Sequence, residues 1–268
     1  MLANFLAPLT GILIGLVMGL TGAGGGILAV PALVYTQGWG MQQAMPVALL
    51  GVTAGAALGA LEGFMRKLVR YRAGMLMALA GSLPTWLGVQ LAARLSQAVL
   101  MNSFALILCV AATRLLLQLR HSHQDIGPHC IVRIDADTGR FRWNPLTAVV
   151  ISAIGAVSGL MTGLLGVGGG FIIVPMLRHF TNVSMHGAVA TSLFVISLLG
   201  SMGVLSATAR GVPLPGGFAL VFVLTIAGGM LIARKLAAHM PARAVQGLFV
   251  VLLLSVAASL FYKAALAG

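Results

Sequence analysis

Acidic residues are nearly absent from this chain: of 268 residues only Glu62, Asp125, Asp135 and Asp137 are acidic, and none lies in the middle of an apolar segment. A carboxylate at the centre of a bilayer costs about 2.5–3.5 kcal/mol and is kept there for function, commonly to couple transport to protons or sodium. Its absence disfavours a cation carrier. Glu62 stands four residues before Arg66, the spacing of an ordinary helical ion pair. Charged residues of both signs make up 7% of the chain, against about a quarter in soluble domains. The two cysteines, Cys109 in an apolar run and Cys130 in a polar one, exclude a disulfide framework. His-Glu-x-x-His, Gly-x-Ser-x-Gly and paired buried carboxylates are all missing, so the chain is not expected to be an enzyme and no catalytic residue is assigned.

What remains is apolar. The chain is 59% hydrophobic, with a mean hydropathy of +1.04, the composition of a polytopic membrane protein whose main partner is the lipid bilayer. The net charge of +12 comes from Lys and Arg lying between apolar segments, with no basic stripe and interleaved aromatics. Nucleic acid is therefore not an expected partner. Segments long enough to span fall at roughly 4–35, 43–61, 73–93, 98–119, 145–177, 186–208, 216–236 and 244–266. The first has no basic residue ahead of it and reads as a membrane helix, not a removed signal.

The first and fifth segments are interrupted by one motif. Gly19-Leu-Thr-Gly-Ala-Gly-Gly-Gly-Ile-Leu-Ala-Val-Pro31 recurs as Gly163-Leu-Leu-Gly-Val-Gly-Gly-Gly-Phe-Ile-Ile-Val-Pro175, a shift of 144. Met41, Ala44 and Leu49 recur at the same shift as Met185, Ala188 and Leu193. The chain is read as two four-segment repeats, 1–119 and 145–268, joined by a linker at 120–144. In that linker, 131–143 alternates like a small hairpin, and His121, His123, Asp125, His129 and Cys130 lie close in sequence without a standard zinc spacing. Neither metal nor cofactor is expected. Glycines at every fourth position, 11, 15 and 19 and again 51, 55, 59 and 63, are expected to let helices approach closely.

Three successive glycines inside an apolar run call for a broken helix, and broken backbone inside a bilayer is tolerated where it is buried in protein or lines a cavity. Half-helices starting after Gly26 and Gly170 would present free N–H groups and a positive dipole end to an anion. The candidate binding residues are Thr21, Gly24, Gly25, Gly26, Gly168, Gly169, Gly170, Thr191 and Ser192, with Gly22, Pro31, Gly166 and Pro175 shaping the breaks. Thr191-Ser192 has Val47-Ala48 as its counterpart, so the halves contribute unequally. A methyl group at Gly25 or Gly169 is expected to weaken anion binding and leave folding intact. Glycine kinks that merely pack are the competing reading.

If each broken segment crosses the bilayer once, five basic residues, Arg94, Arg178, Arg234, Lys235 and Arg243, oppose eleven. If each dips in and returns, only Arg94, Arg210 and Lys263 oppose the other thirteen. The positive-inside rule favours the second, with inverted repeats, both termini outside and the linker cytoplasmic.

The two glycine motifs, Ala190-Thr-Ser-Leu193 and Thr138-Gly-Arg-Phe-Arg-Trp143 resemble the TauE/SafE family of membrane permeases, also described as sulfite exporters, over nearly the whole chain. The resemblance implies inner-membrane transport of a sulfur-containing anion such as sulfite or an organosulfonate. It departs from the family at Val47-Ala48, where Thr-Ser is frequent. Another small organic anion, or a scaffold that carries nothing, are the alternatives.

Overall fold

The computed structural model describes residues 2–120, 144–212, 214–237 and 242–267. They form ten α-helices: α1 (Leu2–Thr21), α2 (Ala29–Thr36), α3 (Met41–Met65), α4 (Tyr71–Arg94), α5 (Gln97–Arg120), α6 (Pro145–Leu165), α7 (Gly170–Phe180), α8 (Met185–Ala209), α9 (Gly216–Ala237) and α10 (Ala242–Ala267). A 3-10 segment, Gly22–Leu28, joins α1 to α2. The residues expected to form a hairpin and the neighbouring His and Cys side chains lie outside the described residues. Among the described residues, seven helices are long and apolar enough to cross a bilayer. At 1.5 Å per residue the eight residues of α2 reach only about 12 Å and the eleven of α7 about 16 Å, roughly half a crossing.

The 144-residue shift seen in the motifs holds for the elements: α3 and α8 are both 25 residues long and start at Met41 and Met185. Local signals start and stop the helices. Pro145 occupies the first turn of α6, Ser184 caps α8 by accepting from the Gly187 N–H at 3.2 Å, and Gly166 ends α6 in the left-handed conformation.

The glycine strips are close-packing surfaces. Gly15 and Gly19 of α1 lie against the backbone of Met230 in α9, while Gly155, Gly159 and Gly163 of α6 lie against Met77, Gly81 and Thr85 of α4. Numbers rise together along both pairs, so each runs parallel. The first helix of each half thus packs along the fourth helix of the other, and the halves interlock. At the centre α3 crosses α8 with numbers running in opposite senses: Leu49 faces Gly203, Thr53 faces Gly200, and Gly63 faces Ala190. These two helices hold the same place in their halves yet run antiparallel.

Directions follow from these pairings. The short turn 66–70 reverses the chain, so α4 runs against α3; α6 runs with α4, and α8 also runs against α3. Hence α6 and α8 point the same way, and the chain must return between them through α7. The same reasoning makes α1 and α3 parallel and requires the 3-10 segment and α2 to bring the chain back. Each broken segment is a dip and return. The core lies between these helices, with Met18, Ile27, Val52, Phe104, Ile196 and Phe222 almost wholly buried. Leu79, Leu83 and Trp86 of α4 and Leu220, Leu224 and Leu231 of α9 stay exposed, on faces suited to lipid.

Candidate functional site: two glycine breaks in contact

At the first break the chain doubles back so tightly that a methyl group on Gly25 would overlap the backbone of Met18 and stand 2.6 Å from the Val17 carbonyl carbon. Only glycine fits there. Gly22, Gly24, Gly25 and Gly26 all belong to the 3-10 segment, and the Ala29 N–H bonds back to the Gly26 carbonyl. This corrects the expectation of a free helix start after Gly26: the backbone there is coiled, and α2 begins only at Ala29, with Pro31 as its third residue.

The second break is open. Gly166, Gly168 and Gly169 have φ of 70°, 74° and 63°, a left-handed conformation costing an L-residue roughly 1–2 kcal/mol. Gly169 caps α7, and its carbonyl accepts from the N–H groups of both Ile172 and Ile173 at 3.0 and 3.2 Å. The N–H groups of Gly170 and Phe171, with no preceding turn to receive them, face the break. Pro175 is the sixth residue of α7. A methyl on Gly169 would lie 2.7 Å from the Ser158 carbonyl oxygen and 2.9 Å from Thr162 Oγ1. The notion that a methyl at Gly25 or Gly169 spares folding is thereby corrected at both positions: each would strike α1 or α6.

The breaks meet. A methyl on Gly26 would be 2.8 Å from Val52 Cγ1 and 3.6 Å from the Val167 carbonyl oxygen; one on Gly168 would be 2.7 Å from Ile196 Cγ2 and 3.2 Å from Val52 Cγ1. Val52 and Ile196 are counterparts at the 144 shift, so the central α3–α8 pair wedges a matched pair of branched side chains between the two loops.

The hydroxyls divide into two groups. Thr21 Oγ1 donates to the Val17 carbonyl at 2.7 Å, within its own helix. Thr191 Oγ1 accepts from the Arg70 N–H at 3.0 Å and so caps α4 from across the α3–α4 turn. Ser192, by contrast, is fully buried with an unpartnered Oγ, one turn before Ile196 on the face α8 turns to the break. Ser158 Oγ is likewise fully buried and unpartnered, and its Cβ lies 3.2 Å from the methyl position of Gly169. An unpaired buried hydroxyl costs about 1–3 kcal/mol. Ser158 and Thr162 were missed from the sequence. The signal was there: shifting by 144 sets them against Ile14 and Met18, so the helix behind the second break is polar where its counterpart is apolar.

Two cavities end against the breaks. One, of about 610 Å³, opens on the linker side, where α5 ends and α6 begins, and is lined by Thr21, Ile27, Gly170, Arg66, Arg114 and Arg178 among others. The other, of about 210 Å³, lies on the opposite side against Gly163 and Gly166. Within the larger one Arg66 pairs with Glu62 at 2.8 Å, as the sequence spacing suggested, while Arg114 and Arg178 stay exposed without an acidic neighbour among the described residues.

The Sulfite exporter TauE/SafE family model matches residues 7–260. A "Probable membrane transporter protein" of Xylella fastidiosa (strain 9a5c) is 28% identical over 71% of this chain and 69% of its own length. The "Probable membrane transporter protein YunE" of Bacillus subtilis (strain 168) is 29% identical over 73% of this chain and 75% of its own. No solved structure matches significantly. A match across nearly all the helices, with relatives named as membrane transporters, places this multi-pass membrane chain: it belongs to the TauE/SafE family.

Proposed function

We propose that the chain is an inverted-repeat carrier of a small anion, sulfite or an organosulfonate, which binds where the two glycine breaks touch. The observation that carries this reading is the contact of Gly26 with Val167 beside an open α7 N-terminus, with Ser158 and Ser192 buried and unpartnered nearby. Free N–H groups, a helix dipole and two spare hydroxyls suit an oxyanion, and neither the N–H groups nor the positive dipole end favours a cation. Gly24, Gly25 and Gly26 shape the loop, Gly168, Gly169 and Gly170 supply the approach, and Thr21 and Thr191 hold the scaffold. Arg114 and Arg178 in the larger cavity raise the local anion concentration.

The helix directions argued above support the assignment that puts thirteen of the sixteen basic residues on the linker side and Arg94, Arg210 and Lys263 on the other. On the positive-inside rule the linker is cytoplasmic, both described ends are outside, and the protein sits in the cell inner membrane. A cavity of about 610 Å³ is of the size that holds an organic ligand, which supports an organosulfonate or another small organic anion as a second reading beside sulfite. Uptake of radiolabelled sulfite, taurine and acetate into proteoliposomes tests the proposal. Saturable sulfite or taurine flux supports it, acetate flux alone shifts the substrate to a carboxylate, and no flux of any anion overturns it.

A further inference from the structure

The two cavities are counterparts. Shifting by 144 turns Gln42, Leu49, Gly163, Gly203 and Arg210 of the smaller one into His186, Leu193, Gly19, Gly59 and Arg66 of the larger. They differ about threefold in volume, 210 against 610 Å³, although the helices around them repeat in length and order. The smaller one is bonded across its mouth. On the small side Gln42 Nε2 donates to the carbonyls of Leu95, at 3.1 Å, and Ala92, at 3.4 Å, filling acceptors that the end of α4 leaves open. Arg210 donates to Gln90 Oε1, tying the end of α8 to the same helix. On the large side His186 is exposed, and Arg66 is held by Glu62. The counterpart of Gln90 in the sequence is Arg234, and since arginine has donors only, an arginine-to-amide tie cannot recur between those two positions.

Building on the carrier reading above, we propose that Gln42, with Arg210 and Gln90, is a latch that closes the smaller cavity, and that its release lets the halves exchange shapes so that this cavity opens as the larger one shuts. His186, a side chain with donor nitrogens at the Gln42 position, then reaches the end of α9. The latch ties α3 and α8 to α4 on the small side, while on the other side Arg66 is taken up by Glu62 of its own helix, which sets the linker-side-open state as the resting one.

The test uses the full chain in lipid nanodiscs, with Cys109 and Cys130 replaced by serine, and compares the counterpart probes Leu49→Cys and Leu193→Cys by their rate of reaction with a soluble maleimide. The expected result is slow reaction at Leu49→Cys and fast reaction at Leu193→Cys. Adding Gln42→Ala and Arg210→Ala accelerates the first at least threefold and slows the second by a similar factor. His186→Gln, which puts the latch amide on the other side, shifts both rates in those same directions. Rates that rise together mean general loosening and overturn the latch, as do rates that do not change. No substrate is present, so reciprocal rates with no anion flux in proteoliposomes would keep the latch and discard the substrate assignment, while flux with unchanged rates would do the reverse.

Discussion

Gly26 and Val167 lie side by side: a methyl group on the first would stand 3.6 Å from the carbonyl oxygen of the second. They belong to glycine motifs 144 residues apart, and nothing in either motif alone requires them to meet. The contact arises because each half places its first helix against the fourth helix of the other, which draws both returning loops to the α3–α8 crossing. Ser158, with its spare hydroxyl, then stands beside Gly169 at the open start of α7, and Ser192, likewise unpartnered, lies one turn before Ile196 on α8.

Gly26→Ala should separate packing from binding. Its methyl meets the tip of Val52, a side chain and not backbone, so the protein is expected to fold and insert, with anion flux reduced about tenfold, or roughly 1.4 kcal/mol. Gly26→Ala with Val52→Ala should recover most of that loss, because the two sites are in contact and their effects do not add. Initial flux rates in proteoliposomes, normalised to inserted protein, check it.

Ser192→Ala and Ser158→Ala carry a prediction with two signs. Removing an unpartnered buried hydroxyl should leave thermal unfolding in detergent unchanged or raise it, while apparent anion affinity falls by about fivefold, near the 1 kcal/mol of one hydrogen bond. Thr191→Ala should do the opposite in stability, losing about 1 kcal/mol with the cap on the Arg70 N–H. Matched melting curves and flux saturation curves distinguish them.

Much of this arrangement was legible beforehand. The 144 shift located both breaks and matched α3 to α8 residue for residue, and the charge count favoured a dip and return, since the side of six basic residues depended on that one choice. The unlike conformations of the breaks were not legible, because Gly24 to Gly26 and Gly168 to Gly170 read the same. The difference lies behind them, where the backbone of Met18 lies against Gly25 of a closed 3-10 segment and Ser158 and Thr162 stand beside left-handed Gly169. Thr21 and Thr191 looked like ligand groups by position, yet each already has a backbone partner.

Glu62→Gln should keep more than half of the wild-type flux. The carboxylate sits at a cavity wall and pairs with Arg66 at the solvent edge, an exposed i,i+4 pair of the kind worth about 0.3–0.5 kcal/mol. Flux measured with and without an imposed pH gradient checks this, and loss of gradient dependence in a folded variant would make Glu62 the coupling group.

Topology is open to a direct check. Ser96→Cys, exposed between α4 and α5, should react with a membrane-impermeant thiol reagent on intact cells, whereas Tyr71→Cys, exposed at the start of α4, should react only after the cells are opened. The reverse pattern would turn the protein over in the membrane.

The claim that an oxyanion binds where the breaks touch is tested most directly by locating one. Selenite, a heavier analogue of sulfite, can be bound to crystals of the full chain and its selenium found by anomalous scattering. The account predicts one peak between Gly26 and the start of α7, with selenite oxygens within about 3 Å of the Gly170 and Phe171 nitrogens and of Ser158 or Ser192 Oγ. A peak confined to Arg114 and Arg178 in the larger cavity, with none at the break, would contradict it.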